Sequence, residues 1–119
     1  MMNLFKVLVF GLIPSTNNDV LLPNDDIMSE AVILEHAKSA GTDFLMYTGN
    51  FCGYCTAAER LLTGKNLTHT KYNLDEHSGL RQQVVQATGH RTVPVIFDIR
   101  GGEVKYIGGF DETSKYLRN

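Results

Sequence analysis

From residue 43 onward the chain alternates short apolar runs with stretches of helical periodicity, and this alternation limits the folds open to it more than any other feature. Residues 43–48 (Asp-Phe-Leu-Met-Tyr-Thr) read as a short buried strand. Residues 52–62 read as a helix with Ala57, Ala58, Leu61 and Leu62 inward, ended at Gly64. A strand over 69–74 follows, then a helix over 77–88 with Leu80, Val84 and Val85 on one face, stopped by Gly89. Residues 93–99 form a strand with Pro94 at its start, Gly101-Gly102 turns a hairpin into 103–107, and 111–117 form a last helix. The order βαβαββα implies an α/β fold: a central four-stranded mixed sheet with helices on both faces.

Upstream, residues 4–13 are rich in Val, Leu, Phe and Ile and read as an extra strand at the sheet edge or on the core. Their single Lys6, barely adequate apolar stretch and lack of a small-residue cleavage site make a poor signal peptide. A polar loop spans 14–26, where Asp25 or Asp26 offers a helix cap, and 27–40 read as a helix with Ile27, Ala31 and Leu34 on its apolar face. Nothing resembles a linker, so residues 1–40 are expected to pack on the same domain as 41–119. A net charge of −2 argues against a general nucleic-acid binder, and no apolar run is long enough to cross a bilayer.

The chain has two cysteines, both in Cys52-Gly53-Tyr54-Cys55 at a strand-to-helix junction. No cysteine remains for a structural crosslink, the pattern of a reducing, cytoplasmic setting and a redox or metal-binding pair. A helix N-terminus presents free N–H groups and partial positive charge, which stabilise a thiolate. Cys52 is therefore the expected nucleophile and Cys55, one turn on, the resolving thiol of a dithiol–disulfide cycle. A zinc site would need a second Cys or His pair, and His69 and His77 lack the spacing for one. A structural disulfide over so small a loop would constrain little.

Taken with Tyr47-Thr48, Thr92-Val93-Pro94 and Gly108-Gly109-Phe110-Asp111-Glu112, the pair resembles the glutaredoxins over roughly residues 43–117. That resemblance implies a thioredoxin-like fold and a glutathione-dependent thiol–disulfide oxidoreductase that reduces protein disulfides and glutathione mixed disulfides. It also implies a cis Pro94, with Val93 pairing main chain to main chain with glutathione's cysteinyl unit. Gly109 would allow close approach, and the N–H groups of Phe110 and Asp111 would receive the γ-glutamyl carboxylate. The Asp111 side chain, otherwise an N-cap, would meet the ammonium. Arg81 would take the glycyl carboxylate, and Tyr54 and Thr92 would shape the pocket. Implied partners are glutathione and disulfide-bearing clients, ribonucleotide reductase among them, with a monomeric chain. His90 and Arg91 lie beside the proline loop and read as tuning local charge at most.

Two positions depart from the family pattern: Gly53 stands where many members have proline, and Gly49 where many have lysine. Without that proline, a [2Fe–2S] cluster bridging two chains through Cys52 and two glutathiones is an alternative function, since thiolates ligate iron well. A thioredoxin-like protein reductase is another, weakened by Phe51 in the place of tryptophan and by the glycine-rich segment at 108–109.

Overall fold

The computed structural model describes residues 25–118. The elements in chain order are α1 (Asp25–Ala40), β1 (Phe44–Thr48), α2 (Gly53–Gly64), β2 (His69–Asn73), α3 (Leu80–Thr88), β3 (Val95–Asp98), β4 (Lys105–Gly108) and α4 (Phe110–Arg118). The sheet order is β2-β1-β3-β4, with β2 parallel and β3 antiparallel to β1, and β4 antiparallel to β3. This is the four-stranded mixed sheet that the alternation of elements predicts. The strand expected over 4–13 lies outside the described residues.

β1 is buried along its whole length, as a strand covered on both faces must be. Its odd residues, Leu45 and Tyr47, join Val95 and Phe97 of β3 in a cluster under α1 and α3. Its even residues, Phe44 and Met46, join Ile96, Cys55, Ala58 and Leu62 under α2 and α4. The period-two alternation of strand side chains thus assigns each residue to one of two cores. The resolving cysteine belongs to the second.

Three helix expectations need correction. Among the described side chains of α1, Ser29 and Ile33 are buried and Leu34, as expected, packs partly buried on the core with Val32, Ala37 and Ala40, while Ala31 faces solvent. Apolar side chains lie all around this helix, so periodicity could not choose a face; the choice comes from α1 packing on α3. The helix also opens at Asp25 rather than after an aspartate cap. α3 starts at Leu80, three residues later than 77, because Gly79 in front of it is left-handed (φ 81°) and no side chain caps the helix. α4 starts at Phe110, so Asp111 sits inside its first turn and is not the N-cap. The hairpin between β3 and β4 is longer than two residues: a 3₁₀ turn at Arg100–Gly102 carries Gly101 and Gly102 at φ 76° and 84°.

α1 is joined to the sheet by polar as well as apolar contacts. The Tyr47 hydroxyl, deep in the core, is 2.8 Å from His36 Nδ1, and the His36 ring stacks on Tyr72 at 4.0 Å. A buried phenol needs a partner, and α1 supplies it. Burial pushes the Tyr47 phenol up and, with nearby His77, pulls His36 down, so the pair is neutral at ordinary pH. Replacing Ile33, which is fully buried, with alanine should cost about 2–4 kcal/mol by chemical denaturation if α1 is integral to the fold. A loss near zero would make α1 a dispensable appendage.

Candidate active site

The loop after β1 is built to deliver Cys52 to the start of α2. Its amides are held from the side: Asn50 N–H donates to Asp75 Oδ2 at 2.7 Å, and Asn73 Nδ2 donates to Asn50 Oδ1 at 3.0 Å. Phe51 then takes a left-handed conformation (φ 50°) with its ring fully exposed. Cys52 is the N-cap residue of α2, extended at φ −114° and ψ 99°. Its carbonyl accepts from Cys55 and Thr56 N–H, and its Sγ accepts from Cys55 N–H at 3.1 Å. The sulfur therefore stands where a serine or aspartate cap oxygen would, facing the positive end of the helix.

Cys52 and Cys55 are disulfide-bonded, their Cα atoms 5.2 Å apart. Cys52 is partly exposed, whereas Cys55 is only 4% exposed and packs among Ala58, Leu62 and Met46. The two sulfurs are thus unequal in access, in the order expected for attacking and resolving thiols. On the side facing β2, a cavity of about 500 Å³ opens against both cysteines and is lined also by Glu59, Lys71, Asn73 and His77. Among the described residues no three His, Cys, Asp or Glu side chains converge as metal ligands.

The loop before β3 meets this pair. The Val93–Pro94 peptide bond is cis, and the Val93 carbonyl oxygen lies 3.8 Å from Cys52 Sγ. Pro94 is buried, and its carbonyl oxygen is 3.5 Å from where a Cβ on Gly109 would stand. Beyond Gly109, the Phe110 ring stacks with the exposed Tyr54 ring at 6.0 Å and 30°. Asp111 is exposed in the first turn of α4. At the other end, Val93 Cγ2 would be 3.3 Å from a Cβ on Gly49, and Arg81 Nη2 3.7 Å from it. Arg81 is anchored there by a 3.0 Å ion pair with Asp75. Val93 thus stands beside Cys52, Pro94 beside Gly109 and Phe110 beside Tyr54, while Arg81 lies near Gly49; Asp111 and Thr92 are exposed.

Two residues that help place these groups were not singled out from the sequence. Asp75 holds the Asn50 amide and Arg81 at once; these two contacts keep its carboxyl below the usual range, the amide contributing most. No local pattern announces it, since its partners are 25 and 6 residues away. Glu112 reaches back to accept from Gly109 N–H at 2.9 Å, the reciprocal half of a capping box. That contact had a signal, a glutamate three residues after the residue preceding the helix.

The Gly109 amide, ahead of the smaller pull of His90 and Lys115, holds the Glu112 carboxyl below its ordinary value of 4.5. A depressed folded-state value means that the cap's contribution is complete above pH about 4.5 and is lost as pH falls through the folded value. Glu112→Gln should remove that part of the acid sensitivity, read as a flatter dependence of thermal midpoint on pH as pH falls below about 4.5. An unchanged slope would show that the carboxylate does not hold the turn.

The chain's residues 44–104 match the family model described as Glutaredoxin. Among curated relatives, Glutaredoxin-C4, chloroplastic, of Oryza sativa subsp. japonica is 30% identical over 105 residues, spanning 84% of this chain and 73% of that protein. Glutaredoxin 3 of Escherichia coli K12 is 31% identical over 67 residues, 56% of this chain and 76% of that protein. Among solved structures, a buckwheat glutaredoxin–glutathione complex superposes with a TM-score of 0.64 at 26% identity, covering 81% of this chain and 86% of that one. The holo form of glutaredoxin C1 from Populus tremula x tremuloides gives 0.58 at 32% identity, covering 74% and 89%. With its paired cysteines at a strand-to-helix junction on a thioredoxin-like sheet, the chain belongs to the glutaredoxin family of thiol–disulfide oxidoreductases.

Proposed function

We propose that this chain uses glutathione as its reductant, with Cys52 attacking and Cys55 resolving. The observation that carries the reading is the inequality of the two sulfurs. Cys52 is accessible, caps α2 and lies beside the Val93 carbonyl, while Cys55 is buried behind it. A related buckwheat protein forms a complex with glutathione, which supports the same ligand here.

In this reading the Cys52 thiolate attacks the glutathione sulfur of a protein mixed disulfide. A Cys52–glutathione disulfide forms and the client leaves as a thiolate that takes up a proton. A second glutathione thiolate then attacks the glutathione sulfur, releasing glutathione disulfide and regenerating the Cys52 thiolate. With a client disulfide, Cys52 forms a mixed disulfide, the Cys55 thiolate attacks the Cys52 sulfur, and the client departs as a dithiol. The Cys52–Cys55 disulfide is the oxidised product, and two glutathiones return it to the dithiol.

The ligand groove of this reading lies beside Cys52, between the proline loop at residues 92–94 and the start of α4 at residues 109–111. Val93 offers main-chain groups to the cysteinyl unit, the N–H groups at Phe110 and Asp111 meet the γ-glutamyl carboxylate, and Arg81 meets the glycyl carboxylate. Tyr54 and Thr92 border the thiol pocket. Any iron–sulfur cluster would rest on Cys52 and on ligands from outside the chain.

Cys52→Ser should abolish glutathione-coupled turnover. Cys55→Ser should retain removal of glutathione from a mixed disulfide while losing most reduction of a protein disulfide. Both are read in a coupled assay of glutathione disulfide formation. Full removal of glutathione by the Cys52→Ser protein would overturn the order of attack, and turnover by thioredoxin reductase alone would overturn the choice of reductant.

A further inference from the structure

The two walls of the groove come from separate parts of the chain, residues 92–94 before β3 and residues 109–111 after β4. His90 touches both. Its Nε2 is 3.2 Å from Thr92 Oγ1 and its Nδ1 is 2.6 Å from the hydroxyl of Tyr106 on β4. The Tyr106 ring meets it edge to face at 5.9 Å. Its Cε1 is 3.6 Å from where a Cβ on Gly109 would stand, beside Pro94 O at 3.5 Å and Glu112 Oε1 at 3.3 Å. The ring is itself fixed from behind, since His90 N–H donates to Thr88 Oγ1 at 3.0 Å and that hydroxyl donates to Val84 O at 2.8 Å. The half-buried imidazole is thus wedged between the end of α3, the proline loop, β4 and the Gly108–Gly109 turn, with both nitrogens engaged.

We propose that His90 is a positioning residue of the ligand groove, setting the separation of the Thr92–Val93–Pro94 wall from the Gly109–Phe110–Asp111 wall. This rests on the glutathione reading. Glutathione must touch both walls at once, so their spacing enters its binding free energy directly, whereas attack by Cys52 depends on the α2 terminus, which His90 does not touch. Neutral imidazole suits the place because one nitrogen donates while the other accepts, and each hydroxyl can take either role. Glutamine also carries a donor and an acceptor, which makes it the conservative substitute.

The test compares wild type, His90→Ala, His90→Gln and Tyr106→Phe in the full chain. KM and kcat are measured for a glutathione mixed disulfide of a small thiol, alongside the rate of Cys52 alkylation by iodoacetamide in the reduced protein. Loss of both ties in His90→Ala should raise KM about five- to tenfold, as two hydrogen bonds at the weak end of the ordinary range would. Its kcat and alkylation rate should stay within about twofold, and His90→Gln should recover most of the KM. Tyr106→Phe removes one tie and keeps the ring, so it should raise KM about two- to threefold; it carries the test if His90→Ala does not fold. An unchanged KM in the folded variants overturns the proposal, as does an equal fall of kcat and alkylation, which would mark His90 as a general support of the fold. A wild type that does not turn over with glutathione would instead overturn the glutathione reading.

Discussion

Strand polarity brings the site together. β1 runs antiparallel to β3 with Tyr47 opposite Val95, so the loop leaving β1 and the loop entering β3 emerge at the same end of the sheet. β4 returns antiparallel to β3 and ends at Gly108 opposite Ile96, which brings the start of α4 to that end as well. β2 lies parallel to β1 with Asn73 opposite Thr48, and this delivers Asp75 beside the Asn50 amide. Four chain segments meet around Cys52 because the two fully buried strands β1 and β3 pair in this register, and a one-residue slip would turn the apolar residues of the slipped strand to the opposite core. Pairing at the centre of the sheet, far from any sulfur, therefore decides which side chains surround the reactive pair.

Much of this was legible beforehand because it is local. Short apolar runs gave the strands, helical periodicity gave α2 and the body of α3, and a cysteine pair after a strand marked where α2 opens. Glycine marked where helices stop. What escaped was set by tertiary contacts. Ala31 rather than Ile33 looked inward because α1 is apolar on every side, and only its neighbour α3 breaks the tie. The start of α3 lies three residues beyond the expected His77, since nothing local in the sequence shows that Gly79 adopts a left-handed backbone. Asp75 and His90 each also act through a partner remote in sequence, Asn50 and Tyr106, that the pairing of strands brings near. In the sequence His90 reads only as a charge beside the proline loop; its contacts are with hydroxyls and a glycine turn.

The departure at Gly49 also takes on a physical sense. A side chain there would start 3.2 Å from Asp75 Oδ2 and 3.3 Å from Val93 Cγ2, tighter than ordinary contact. The Asp75–Arg81 pair fills the space instead, so a guanidinium stands near the loop where many family members place an ammonium. The paired arginine retains free donors and is partly exposed, so it brings directional hydrogen bonding rather than a diffuse point charge. Gly53 has no such crowding; a Cβ there would meet nothing within 4 Å. The two glycines are thus unlike in kind, one hemmed in by a neighbouring ion pair and the other open to solvent.

The hydrogen bond from Cys55 N–H to Cys52 Sγ carries a wider consequence. It caps α2 in the oxidised protein, and on reduction the same N–H meets a free sulfur of different acceptor strength, whether thiol or thiolate. The opening turn of the helix is therefore worth different amounts of free energy in the two oxidation states. Unfolding and reduction then form a closed thermodynamic cycle: any substitution in that turn that shifts one equilibrium unequally between the two states shifts the other by the same amount. Fold stability and redox poise thus meet in the same few residues, and a change there that favours the fold of one oxidation state also moves the potential.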